Sequence, residues 1–284
     1  MKYSTSISVQ YDSPFTPFPG RAWREALAWA KASGFDAAEL IISDPELLDL
    51  QAIQKELQQL NLTVSTLSTG QAVGLEGLSM VSADAEVRKA ALKRLYADID
   101  FAVELGRPHV TVGLIRGKGG VIDLEIERDL LRDSLLRAAD YAAQREVVLN
   151  LEPVNRYECR HLNQSLSALE FLREIGDPPH IGVLYDMFHS NIEDADMTIA
   201  IRTLGSRISN VHIADSNRRL PGEGHINFHA VLDALADIVY DGYAALEVLN
   251  APSPQHIIDN AGTSIRRIFN QELTEKGGYN NDKL

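Results

Sequence analysis

Short runs of β-branched and aliphatic residues alternate along the chain with longer stretches of helical periodicity. Eight such runs read as strands: Tyr3–Val9, Asp36–Ile42, Leu62–Leu67, His109–Leu114, Val147–Glu152, Ile181–Asp186, Ile208–Ala214 and Tyr243–Val248. Between and after them lie eight amphipathic segments, among them RAWREALAWAKA, AEVRKAALKRLYADIDFAVELG and FHAVLDALADIVYDG. Several begin at Asp or Ser and stop at Gly34, Gly106, Gly176 or Gly242, as capped helices do. Eight strands alternating with eight helices predict an α/β protein built as a single (β/α)8 TIM barrel.

The connections tell the two ends of that barrel apart. Helix-to-strand links are terse, as at Ser33-Gly34, Asn61 and Asp241-Gly242, whereas strand-to-helix links are long, as at Gln10–Gly20, Ser68–Ser82 and Asp215–Asn227. Long loops after strands place the working face at the C-terminal end of the barrel. The Gln10–Gly20 loop, with three prolines and Phe15 and Phe18, is either an apolar cover over the mouth or an ordinary surface loop. Trp23 and Trp29, on the first helix, read as packing residues.

At 284 residues the whole chain, 1–284, fits one barrel domain, with residues 275–284 a polar, flexible tail. A formal charge of −13 works against nucleic acid or an anionic membrane surface as a partner and leaves small soluble molecules as the easier class. The single cysteine, Cys159, can form no intrachain disulfide, and no run of 18 apolar residues or secretory signal is present, so a cytoplasmic location is expected.

Four residues that favour divalent metals, Glu152, Asp186, His212 and Glu247, each close an apolar run, at spacings of 34, 26 and 35 residues. Each gap is one strand-plus-helix unit, so the four arrive at one mouth. Strand alternation agrees. If Leu149, Leu151, Val183, Tyr185, Val211, Ile213, Ala244 and Leu246 face the helices, then Glu152, Asp186, His212 and Glu247 face the barrel interior. Three carboxylates and an imidazole buried together cost several kcal/mol per ion unless a cation compensates them. One divalent ion is therefore expected; an oxygen-rich set of this kind suits Mn²⁺ first, and also Mg²⁺ or Co²⁺, with Zn²⁺ compatible. Asp215 is expected to support His212 from behind, and His225 to pack in its loop. Cys159 has no activating partner in the sequence.

The segments LNLEPVNRYE, LYDMFHSNIED, VHIADSNRRLPGEGHINF and LEVLN resemble the strand ends of the xylose-isomerase-like barrel superfamily, and within it the ketose 3-epimerases of the tagatose/psicose type and related keto-sugar-acid epimerases. The resemblance implies a metal-dependent isomerase that inverts C3 of a ketose or keto sugar acid. It implies one Mn²⁺-like ion on Glu152, Asp186, His212 and Glu247, and substrate contacts from His189, Arg218 and Glu158. Dimers or tetramers are common among such relatives. Inverting a carbon beside a carbonyl needs a base on one face and an acid on the other, and Glu152 with Glu247 can supply both. Read from position alone, His189 is a substrate contact or a loop histidine, Arg218 a charge stabiliser or a partner of Asp215, and Glu158 a hydroxyl contact or a solvated acid. The segment GLIRGKGG after the fourth strand puts Arg116 near the mouth, where it would either bind a substrate carboxylate or lie in an exposed basic loop.

Three rivals stand beside this reading. An aldose–ketose isomerase would use the same ion and enediolate. An abasic-site endonuclease needs further His and acidic ligands and a basic DNA face, neither of which the sequence offers. A non-catalytic sugar-binding barrel has no need of two opposed glutamates.

Overall fold

The computed structural model describes residues 1–275, with side chains described through Ile268; the expected tail falls almost wholly outside them. Eight parallel strands close in the order β1 to β8: Lys2–Ser8, Ala37–Ile41, Thr63–Ser68, His109–Val112, Leu149–Leu151, Ile181–Asp186, Ile208–Ile213 and Tyr243–Leu246. The barrel is sealed by β1 pairing with β8, Tyr3 opposite Ala244. The expected (β/α)8 barrel is thus the fold observed.

Helices α1 to α10 are Trp23–Ala32, Leu50–Leu60, Gln71–Glu76, Ala85–Glu104, Leu124–Ala143, Ser165–Glu174, Met187–Glu193, Met197–Leu204, Phe228–Asp237 and Pro254–Glu275. Two of them, α3 and α7, are not among the eight expected. Both are short turns inside strand-to-helix connections, too brief to show a periodicity of their own. Side-chain caps start several helices: Asp84 accepts from the Glu86 N–H, and Asp123 from the Glu125 N–H. Gly34 and Gly106, after α1 and α4, have φ of 90° and 88°, a backbone that L side chains rarely adopt. Gly242 has another reason: a Cβ there would meet the Tyr240 ring, its hydroxyl at 2.5 Å.

Leu149, Leu151, Val183, Tyr185, Val211, Ile213, Ala244 and Leu246 all belong to one buried apolar core, as the alternation requires. The residues between them turn inward, and the interior is polar: Ser4, Ser6, Glu39, Ser65, Thr66, Thr111, Asn150 and Asn210 are all buried. Hydrogen bonds knit this interior together, for example Ser65 Oγ to Ser4 Oγ (2.9 Å) and Ser209 Oγ to Asn150 Oδ1 (2.7 Å). Among the described residues no helix is long and apolar enough to cross a membrane.

Candidate active site at the C-terminal mouth

The four predicted residues come together. Glu152 follows β5, Asp186 ends β6, His212 lies in β7 directly opposite Asp186 in register, and Glu247 follows β8. His212 Nδ1 stands 3.5 Å from Asp186 Oδ2, 3.5 Å from Glu247 Oε2 and 3.7 Å from Glu152 Oε1. These separations exceed a good N–H···O bond, and Nδ1 has no hydrogen-bond partner although it is buried. An orphaned imidazole nitrogen facing three carboxylate oxygens is a donor set that fits a divalent cation.

Backbone and neighbours fix each donor. Asp186 caps α7: its Oδ1 accepts from the N–H groups of Phe188 (2.7 Å) and His189 (3.0 Å), which leaves Oδ2 for the cluster. Glu247 Oε2 accepts from Arg218 Nη2 at 2.5 Å. His212 Nε2 meets Glu39 Oε2 at 2.9 Å, and Ser6 Oγ donates to the other Glu39 oxygen at 3.2 Å. Glu152 lies over Gly113, so closely that a Cβ there would sit 2.1 Å from Oε2. Only the absence of a side chain at Gly113 admits that carboxylate.

The electrostatics separate the two glutamates. Burial, together with Glu247 and Asp186, pushes the Glu152 carboxyl up to about 8. Burial acts on Glu247 in the same sense, but Arg218 and His212 overcome it and bring it down to about 2. Asp186 is held well below the usual carboxylate range against its burial by His189, His212 and Arg218. His212 is buried too, yet Glu39, Glu247 and Asp186 raise it well above an ordinary histidine. One carboxyl is thus poised to carry a proton while its counterpart stays ionised.

Glu152, Glu158, His189, Arg218 and Glu247 line a cavity of about 190 Å³ at the mouth, together with Asp12 to Phe15 of the first loop. The Gln10–Gly20 loop is therefore a wall of the cavity. Asn250 fastens it through the Pro14 and Thr16 carbonyls, at 2.9 and 2.7 Å, and Gln71 Nε2 reaches the Tyr11 and Asp12 carbonyls. The Arg218 guanidinium is sandwiched between Phe15 and Phe188, 4.4 and 4.7 Å from their ring centroids, and also pairs with Glu158 at 3.4 Å. Arg218 has φ 58°, an uncommon conformation for a residue with a side chain, in a loop gathered by Asp215.

Residues 27–269 match the pattern of the xylose isomerase-like TIM barrel. The chain belongs to this family. The L-ribulose 3-epimerase of Mesorhizobium japonicum is 33% identical over 217 residues, covering 75% of this chain and 71% of that relative. The 3-dehydro-D-guloside 4-epimerase of Escherichia coli is 27% identical over 233 residues, 78% of this chain and 86% of that one. The structure of D-allulose 3-epimerase from Methylomonas sp. in complex with D-allulose superimposes with a TM-score of 0.82 at 26% identity, covering 95% and 96% of the two chains.

Not every predicted residue of this family member reaches the mouth. Arg116 is fully buried away from the cavity lining, with both terminal nitrogens 3.5 Å from the Leu162 carbonyl. It follows β4 in a single turn of 3-10 helix, Leu114–Arg116, which carries it under the loop after β5. It is neither an exposed basic residue nor a mouth residue. Asp215 does not support His212; its oxygens accept from the N–H groups of Ser216, Gly222 and Ile226. His225 packs in that loop on Ser216 Oγ at 2.9 Å, as expected, and Trp29 packs on Phe18 and Phe35. Cys159 does have polar neighbours: burial raises its pKa, but Arg116 and His161 bring the thiol down to about 7.

Three residues escaped the sequence reading. Asn155 Nδ2 lies 2.7 Å from His189 Nδ1, a contact that as a donated hydrogen bond leaves the proton on Nε2, the nitrogen nearer Glu152 and Asp186. Gly113 receives Glu152. Glu39 left a readable signal, a lone acid in the apolar run AAELII.

Proposed function

We propose that this protein inverts the carbon beside the keto group of a ketose, C3 of a 2-ketose, using one divalent cation and two glutamates. The coarse activity follows from the family: the relatives are ketose and keto-sugar 3- and 4-epimerases, and this chain is a sugar epimerase. In both kinds of name the inverted carbon is the one next to the carbonyl, so one proton-transfer chemistry serves both. The single observation that carries the reading is the ring of Glu152, Asp186 and Glu247 around the unpartnered Nδ1 of His212.

Glu152, Asp186, His212 and Glu247 would hold the ion, with Mn²⁺ the first candidate by donor hardness. When bound, such an ion polarises the carbonyl and offsets the charge of the enediolate. Glu152 and Glu247, just after strands β5 and β8, flank the reacting carbon; one removes the proton and the other returns one from the opposite face. Arg218 steadies Glu247 and the developing negative charge, while His189 offers its Nε2 proton to a substrate oxygen. Glu158, which also accepts from Asn155 Nδ2 at 2.9 Å, meets a hydroxyl.

A neutral ketose suits the cavity better than a keto acid. Among the described lining residues Arg218 is the one arginine or lysine, and Glu247 and Glu158 already engage it. With Arg116 elsewhere, a substrate carboxylate finds no free arginine or lysine among the described lining residues. The cavity lies below the ~300–1,000 Å³ of pockets for drug-sized ligands, a size for one small sugar.

The test incubates neutral ketoses and ketouronates with the Mn²⁺-loaded protein in D₂O and follows the products by NMR. Inversion with deuterium at C3 supports epimerisation. An aldehyde product makes it an aldose–ketose isomerase instead, and faster turnover of the ketouronates refutes the preference for neutral sugars.

A further inference from the structure

Glu39 lies outside the four-residue set, yet it is the most completely buried acid near it. It sits on β2, its neighbours Ala38 and Leu40 belong to the outer apolar core, and its own side chain crosses the barrel interior to His212 on β7, 173 residues away in sequence. It is wholly buried, and its described partners are His212 Nε2 at 2.9 Å and the Ser6 hydroxyl at 3.2 Å. A buried carboxylate supported by one hydroxyl alone would be costly, so the imidazole must donate to it.

That donation decides which nitrogen of His212 is free. In the neutral ring, the form that can bind a cation, a proton kept on Nε2 leaves the lone pair on Nδ1, and Nδ1 is the unpartnered atom facing Glu152, Asp186 and Glu247. The anion behind the ring also makes Nδ1 a better electron donor.

We propose that Glu39 is a positioning residue for the metal centre: by accepting the Nε2 proton of His212 it fixes the ring so that Nδ1, and not Nε2, binds the divalent cation. The proposal rests on the reading of the four mouth residues as a metal site. Glu39 touches neither substrate nor cation in this arrangement. It acts through the ring.

The experiment strips the full-length protein with a chelator and titrates Mn²⁺ calorimetrically into wild type, Glu39→Gln and Glu39→Ala. The amide of Glu39→Gln can still accept from Nε2 but carries no charge, so its affinity should fall by less than that of Glu39→Ala, which should lose about 10- to 100-fold. Glu39→Gln also serves should Glu39→Ala fail to fold, since a several-fold loss in it is expected as well. A second readout uses ¹⁵N-histidine-labelled protein with Zn²⁺ as a diamagnetic probe: His212 should show a metal-bound Nδ1 and a retained Nε2–H. Wild-type affinity in a folded Glu39→Ala overturns the proposal, and so does a metal-bound Nε2, which would make Glu39 a neighbour or ligand of the ion instead. If wild type itself binds no metal, the reading of the four mouth residues fails first, and is recognised by that result.

Discussion

Replacing Gly113 with alanine tests the placement of Glu152 without touching any ionisable group. In the native protein a Cβ at this position would sit 2.1 Å from Glu152 Oε2 and 3.3 Å from its Cδ, whereas real Cβ contacts do not fall below 3.0 Å. The carboxylate oxygen must therefore move by the difference, at least about 0.9 Å. A catalytic group displaced by about 1 Å costs on the order of 10²-fold in rate, roughly 2.7 kcal/mol of transition-state stabilisation. The assay measures kcat for the best ketose at saturating Mn²⁺, so that weakened metal binding does not masquerade as a chemical defect, with thermal unfolding recorded in parallel. Gly74→Ala is the control: it lies in α3, nothing stands within 4 Å of its Cβ position, and it should keep full turnover while gaining about 0.5–1 kcal/mol of stability. A folded Gly113→Ala protein with wild-type kcat would refute the argument, because Glu152 would then have no need of its present position.

Glu152→Gln and Glu247→Gln should each reduce turnover below detection, and substantial activity in either removes it from the acid/base pair. Arg116→Ala should lower thermal stability by leaving the Leu162 carbonyl without its buried donor, while changing KM for ketoses and keto acids equally; a selective loss for keto acids would return Arg116 to the substrate. Chelation should abolish activity, and Mn²⁺ should restore it. In metal-free protein Glu152 is raised to about 8, so above its unfolded value the folded state binds more protons than the unfolded one, and its contribution to stability falls between about pH 4.5 and 8. Bound metal removes that penalty, so the rise in melting temperature on adding Mn²⁺ should be larger at pH 8 than at pH 6; a rise independent of pH would contradict the placement of Glu152 in the ion's shell.

The barrel and the four mouth residues were legible because both depend on local periodicity. A strand's alternation assigns Glu152, Asp186, His212 and Glu247 to the inside wherever the strand pairs, so no long-range information was needed. Arg116 was misplaced for the opposite reason. Periodicity ends with β4, and a 3-10 turn of three residues then decides whether a side chain swings over the mouth or under the next loop. The same limit hid Asn155 and misdirected the choice of a partner for His212. Asp215 is three residues from His212 in the chain, while Glu39 is 173 away, and only closure of the barrel makes the distant one the neighbour. Glu39 still carried a hint, since an acid in the middle of a fully buried strand must have a partner.

Three of the four donors at the mouth are already engaged by something other than substrate. Asp186 spends Oδ1 on two helix N–H groups, Glu247 is gripped by Arg218, and His212 gives Nε2 to Glu39. These contacts leave Asp186 Oδ2 and His212 Nδ1 facing one point, joined there by the same Glu247 Oε2 that Arg218 holds, an arrangement in which a cation would offset the repulsion among the carboxylates. Glu152 is the exception, for its carboxylate accepts no hydrogen bond among the described residues and is held by packing over Gly113. Unpinned by any donor, it is also the carboxyl whose pKa burial is free to raise. Glu247, hydrogen-bonded and ionised, and Glu152, without a hydrogen-bond donor and protonatable, are therefore not interchangeable. The pair is chemically asymmetric before substrate arrives, and the asymmetry originates in Arg218 on one side and a missing Cβ on the other.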